Sequence, residues 1–320
     1  MKQRKILVLG SSNTDMTVKS VLLPKPGETI LGGDFMMGQG GKGANQAVAA
    51  KKLGGDVTFI CKLGEDIFAE NAINHYNSIG LETSKIIRSQ KPSGVALITV
   101  DASGENSIVV ASGANADITE SDIESISHLI EEAEILLVQL EIPIAAVEKA
   151  ISIASKAGVK VVLNPAPAAQ LSESTLSNVS IIVPNQHEAE MLSGIEVRDE
   201  ESASLAARKL QEKGIESVII TMGSHGALVY NGDVTFVPAR KVKALDTTAA
   251  GDTFCGALCV ALAEDKSLVQ AVEFATAASS ISGVVHRQSK HHRFFRQTLG
   301  CLKICYRMPA NTGGRCHNNL

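Results

Sequence analysis

The chain has 320 residues, of which 44% are hydrophobic and 3% aromatic, with no tryptophan and a formal net charge of −4. That is enough apolar material for one large α/β domain or two smaller ones, while the scarcity of aromatics and the acidic balance exclude a stacking surface or a basic footprint for nucleic acid. No run approaches the roughly 20 apolar residues that cross a bilayer, and the run after Met1-Lys2-Gln3-Arg4-Lys5 turns polar at Ser11, too soon for a signal sequence; a cytoplasmic protein without a membrane partner is expected.

In chain order, apolar runs predict a buried strand over 5–10, a helix over 44–53, a strand over 57–61 and a helix over 67–79. A strand over 135–139, a helix over 144–157 and strands over 159–163 and 181–184 follow. Helices over 187–192 and 202–212, strands over 217–221 and 227–230, and helices over 250–263 and 268–280 complete the pattern. Short apolar strands alternating with amphipathic helices predict an α/β fold with a mainly parallel central sheet covered on both faces. Stretches 16–37 and 95–111 are strand-like with no helix between, and predict a small antiparallel sheet appended to the main layer. It could act as a lid that excludes water from a reaction or be an edge hairpin, and periodicity does not separate the two.

Residues 283–320 hold seven Lys/Arg, four His and no Asp or Glu, so residues 1–282 carry 23 basic against 34 acidic residues, a net of −11. Cys301-x3-Cys305 and Cys316-His317 match no common zinc-ligand spacing. The abrupt change of composition points to a frameshifted or otherwise replaced tail. Cys61, Cys255 and Cys259 lie in apolar runs and read as small core residues.

Two glycine-bearing helix starts carry the chemistry. Gly38-Gln39-Gly40-Gly41-Lys42-Gly43-Ala44-Asn45 formally matches G-x-G-x-x-G, but a dinucleotide fingerprint should follow the first core strand directly. A Walker A loop needs Ser or Thr after the lysine, where Gly43 stands. Close backbone approach to a small polar molecule remains, with Lys42 and Asn45 as donors. Asp246-Thr247-Thr248-Ala249-Ala250-Gly251-Asp252-Thr253-Phe254 runs a small-residue turn into an apolar helix. Unpaired N–H groups at such a start bind anions, and a carboxylate beside them can take a proton from an attacking hydroxyl. Asp252 could equally be a plain helix cap. Asn185-x-x-Glu188 reads as a capping box.

Residues 40–50 and 246–254 together resemble the ribokinase family of phosphofructokinase-B-type sugar and nucleoside kinases. Gly10-Ser11-Ser12-Asn13-Thr14-Asp15, Gln139-Leu140-Glu141, Asn164-Pro165-Ala166-Pro167 and Pro184-Asn185-Gln186-His187-Glu188 agree, as does Thr221-Met222-Gly223-Ser224-His225-Gly226. The likeness runs from about residue 5 to 282, so a kinase domain is expected over 1–282, its lid over 16–37 and 95–111. It stops where the family continues into a segment completing the adenine pocket and cation ligands.

The resemblance implies ATP-dependent phosphorylation of D-ribose at its 5-hydroxyl, with Mg2+ and activation by K+. Asp252 would be the base, and Ala249, Ala250, Gly251 and Asp252 an anion hole. Asn13, Thr14, Asp15, Gly41, Lys42, Gly43, Ala44, Asn45 and Glu141 would bind the sugar. Asn185, Thr221, Met222, Gly223, Ser224, His225, Gly226 and Gly251 would bind ATP. Glu188 would lie in the magnesium environment, and Asp246 and Thr248 would hold the monovalent cation. A homodimer joined through the lid is implied too. Another sugar or nucleoside as substrate, or a sugar-binding protein whose kinase activity the aberrant tail impairs, are the alternatives.

Overall fold

The computed structural model describes residues 4–240, 242 and 248–282. Asp246 and the 283–320 tail therefore lie outside the described residues.

Eight strands form one sheet in the order Val234–Pro238, Gly226–Tyr230, Ser217–Thr221, Ile181–Ile182, Lys160–Leu163, Ile135–Val138, Lys5–Leu9 and Asp56–Ile60. The six strands from Ser217–Thr221 to Asp56–Ile60 are mutually parallel, and the last two in sequence return as antiparallel hairpins. Successive strand residues face opposite sides, and each side is apolar. Ile6 and Val8 enter one core with the helices Lys42–Lys52, Ala250–Ala263 and Leu268–Ser282. Leu7 and Leu9 enter the other, with Ile144–Lys156 and Glu200–Gln211. Burial on both faces is why these strands read as continuous apolar runs rather than as alternating ones. Among the described residues no helix is long and apolar enough to cross a membrane.

A second sheet has the order Phe35–Gly40, Asn13–Lys19, Gly94–Val100, Asn106–Ala111. Its outer pairs are antiparallel, but its central pair, Asn13–Lys19 with Gly94–Val100, is parallel. Parallel neighbours need a crossover, and here it runs through the main layer as the helix Lys42–Lys52, the strand Asp56–Ile60 and the helix Ile67–Ser78. Phe35, Met37, Leu97, Ile108 and Val110 on this sheet are exposed.

Candidate active site

In the main sheet the chain steps from Lys5–Leu9 outward to Asp56–Ile60, then to the other side at Ile135–Val138. Ligands of open α/β sheets bind at the carboxyl ends of strands where the order reverses in this way. Ser11–Asp15 leave the first strand at that point, and Gln139–Glu141 leave Ile135–Val138. The small sheet adds the glycine-rich segment, because its register sets Asn13 opposite Gly40.

The Lys42–Lys52 helix begins at Gly41, whose φ of 87° suits glycine. Its first amides are all occupied. Lys42 N–H donates to Glu141 Oε2 (3.0 Å), Gly43 N–H to Ser11 Oγ (3.4 Å), and Ala44 N–H to the Ser11 carbonyl (2.8 Å). Ser11 Oγ in turn donates to Glu141 Oε2 (2.5 Å). Glu141 therefore ties the strand end to the helix start. A Cβ on Gly43 would fall 2.6 Å from the Gly10 carbonyl carbon, so the close approach this glycine allows is to the protein's own backbone. Ala44 is buried beside it.

The Ala250–Ala263 helix starts differently. Ala249 precedes it with φ 60°, a left-handed conformation costing a non-glycine residue on the order of 1–2 kcal/mol. No side chain caps it, and the N–H groups of Ala250, Gly251 and Asp252 donate to no partner among the described residues. Asp252, 7% exposed, accepts from Asn45 Nδ2 at Oδ2 (2.9 Å) and from Gln46 Nε2 at Oδ1 (3.0 Å). Burial pushes its pKa above the usual carboxylate range, opposed chiefly by the Lys42 ammonium and the two amides.

Lys42, Asn185, Glu188, Thr221, Gly251 and Asp252 line one cleft of about 210 Å³, with Ala249 and Ala250 at its edge. The Asn185–Glu188 capping box is fully formed: Asn185 Oδ1 accepts from Glu188 N–H (2.8 Å), and Glu188 Oε2 accepts from Asn185 N–H (2.9 Å). Oε1 of Glu188 takes no hydrogen bond among the described residues. Burial raises the Glu188 pKa, against the Asn185 amide and Lys42. One hard carboxylate oxygen on a cleft wall fits a magnesium ion, which is held by one or two carboxylates, phosphate oxygens and water. Asn185 bridges to Thr221, aligning two strand ends.

Other expected site residues do not line this cleft. Asn13 and Asp15 lie within a strand and share one of its faces, whereas Thr14 is buried on the opposite face. Asn13 Oδ1 accepts from Asn115 Nδ2 (2.7 Å), and Asp15 stands against Gly40. Gly223, Ser224 and His225 are exposed in a short 3-10 turn. Met222 points into the core, 3% exposed. Gly226 has φ 126°, and a Cβ there would meet the Val237 carbonyl at 2.1 Å, so it serves strand pairing. Thr248 is exposed in the turn before Ala249.

Sequence reasoning passed over Ser11, Gln46, Asn115, Gln139 and Asn164 as individual contributors. One signal was available: Gln46 shares a helix face with Gly43 and Ala50, a face of small buried residues where an amide is out of place. Thr276 is a further case. It lines a second cleft of about 360 Å³ with Phe236, Pro238 and Val269, and its buried Oγ1 finds no partner among the described residues.

The profile described as "pfkB family carbohydrate kinase" matches residues 3–287. A ribokinase of Haemophilus influenzae is 46% identical over 282 residues, covering 88% of this chain and 92% of that protein. A deoxyribokinase of Salmonella typhi is 41% identical over 254 residues, covering 78% and 83%. The structure of an Arabidopsis thaliana ribokinase complexed with ribose and ATP superposes with a TM-score of 0.86 at 29% identity, covering 97% of this chain and all of that one.

Proposed function

This chain belongs to the pfkB family of carbohydrate kinases, and from that premise we infer that it transfers the γ-phosphoryl group of ATP to the 5-hydroxyl of D-ribose, yielding D-ribose 5-phosphate. The observation that carries the reading is the shared cleft: Lys42, the Asp252 carboxylate and an uncapped helix start face one space. A ribokinase at 46% identity and a related ribokinase structure with ribose and ATP supply the substrates.

In this reading the sugar lies toward Asp15, Lys42 and Asn45, and the phosphates lie toward Asn185, Thr221 and Gly251. Asp252 accepts the proton of the attacking hydroxyl, whose oxygen then forms the new bond to phosphorus in line with the departing ADP oxygen. The N–H groups of Ala250, Gly251 and Asp252, without a partner among the described residues, are preorganised for the charge that grows on the phosphoryl oxygens. Glu188 would hold magnesium, which neutralises phosphate charge when bound. We place the adenine in the second cleft, lined by Thr276. Thr276 and Ser279 stand three apart on one helix face, and Ser279 Oγ donates to the Ala250 carbonyl (2.9 Å), so the two clefts flank a single turn of that helix. We carry Asp246 and Thr248 as monovalent-cation ligands, and a homodimer through the small sheet, on the family resemblance. The exposed apolar residues of that sheet support the second.

A coupled ADP-release assay across ribose, 2-deoxyribose, ketohexoses and nucleosides, with and without potassium, tests the reading. Ribose should give the highest kcat/KM. A preference for 2-deoxyribose would move the chain toward its deoxyribokinase relative, and ribose binding without turnover would reduce it to a sugar-binding protein.

A further inference from the structure

Asp252 is held by two amides that differ in every respect but chemistry. Asn45 is half-buried and donates to Oδ2. Gln46, the next residue, is wholly buried and does not line the cleft. Its Nε2 donates to Asp252 Oδ1 (3.0 Å) and also to Asn164 Oδ1 (3.0 Å), which consumes both hydrogens. Its Oε1 accepts from Gln139 Nε2 (2.6 Å), and Asn164 is itself fixed by donating to the Val183 carbonyl (3.0 Å).

The direction of every bond in this chain is forced. An ionised carboxylate only accepts, so Gln46 must turn its NH2 toward Asp252 and its carbonyl toward Gln139. Gln139 must then turn its NH2 inward, which leaves its Oε1 against Gly10, buried and without a hydrogen bond among the described residues. Leaving a buried carbonyl without a partner is unfavourable. The fold tolerates that cost at the far end of the chain while the end touching Asp252 is fully satisfied.

We propose that Gln46, locked by Gln139 and Asn164, is a positioning residue that anchors Oδ1 of Asp252 and so assigns Oδ2 as the oxygen that receives the hydroxyl proton. The assignment rests on the kinase reading above. Asn45 can release Oδ2 to an arriving hydroxyl, since it is only partly buried. Gln46 cannot release Oδ1, since its amide is held from three sides. Without the anchor the carboxylate is free to rotate about χ2, a broad torsion, and misplacement on the scale of 1 Å costs about 10²-fold.

The test is steady-state kinetics and ribose calorimetry on Gln46→Met, which keeps length and volume, and on Gln139→Met, which removes only the lock. Gln46→Met should lower kcat about 10²-fold while the KM values for ribose and ATP, and the ribose Kd, stay within about threefold. Gln139→Met should lower kcat by a smaller factor with the same unchanged KM values. An unchanged kcat in Gln46→Met, or a loss confined to KM, overturns the assignment. If Gln46→Met does not fold, an unchanged kcat in Gln139→Met overturns it instead. Absence of ribose turnover by the wild-type protein would sink the kinase reading, a result distinct from wild-type turnover that the variants leave intact.

Discussion

Two helix starts meet at one cleft, and they are opposites. At Lys42–Lys52 the leading amides are satisfied by Glu141 and Ser11, and the segment is fastened to the strand end beneath it. At Ala250–Ala263 the leading amides have no protein partner among the described residues, and the turn before them is strained at Ala249. Both segments are rich in small residues. The first uses them to pack and presents side chains, Lys42 and Asn45. The second uses them to leave backbone bare. A glycine-rich helix start is therefore not by itself an anion site; what matters is whether its donors have already been spent.

The largest effect should come from the carboxylate on the second start. Asp252→Asn should fold, bind ribose in calorimetry and lose at least about 10³-fold in kcat, the scale of general-base removal; near-normal turnover would remove Asp252 from that role. The same residue links activity to pH in two senses. Burial raises its folded-state pKa above the unfolded value, so its contribution to stability is present at low pH and is lost as pH rises through the folded value. As a general base Asp252 would need its ionised form, so activity should run the other way. The acid limb of kcat should thus lie above the ordinary carboxylate value of 3.8.

Next in size is Gly43→Ala. Its new methyl would sit 2.6 Å from backbone that cannot step aside, so chemical denaturation should show a loss of about 1–3 kcal/mol, the range of overpacked cores. Glu141→Ala should cost about 1–2 kcal/mol by uncapping Lys42, the scale of a lost N-terminal cap, and should raise the ribose KM. Gly251→Ala is the control on the second start. Among the described residues nothing lies within 4 Å of its added Cβ, so stability should rise by some tenths of a kcal/mol while the KM for ATP increases. If Gly251→Ala destabilised as Gly43→Ala does, the contrast between the two starts would fail.

Much of this was legible in the chain itself. Continuous apolar runs such as 135–138 gave the parallel core, because burial on both faces needs no alternation. Asn185 and Glu188 announced their capping box, because both partners lie within one helical turn. Lys42 and Asp252 were marked by the small residues around them. Residues within the family motifs were less uniform than their spacing implied. Met222 and Gly226 serve the core and a strand pair, and Thr14 faces away from Asn13 and Asp15. Strand alternation, once the strand's extent is known, decides such orientations, and the sequence left that extent open at 13–19.

The local sequence determined the order of elements, the positions of the two small-residue helix starts and the presence of an acid at the second, since turns, caps and periodicity act over a few residues. Only the tertiary structure decided which amides stay free and which carboxylate oxygen is anchored. Those outcomes depend on partners far apart in the chain: Glu141 lies 99 positions from the amide it accepts, and Gln46 lies 206 positions from the carboxylate it holds. No pattern along the chain encodes a hydrogen bond that exists only once the sheet has brought its strand ends together.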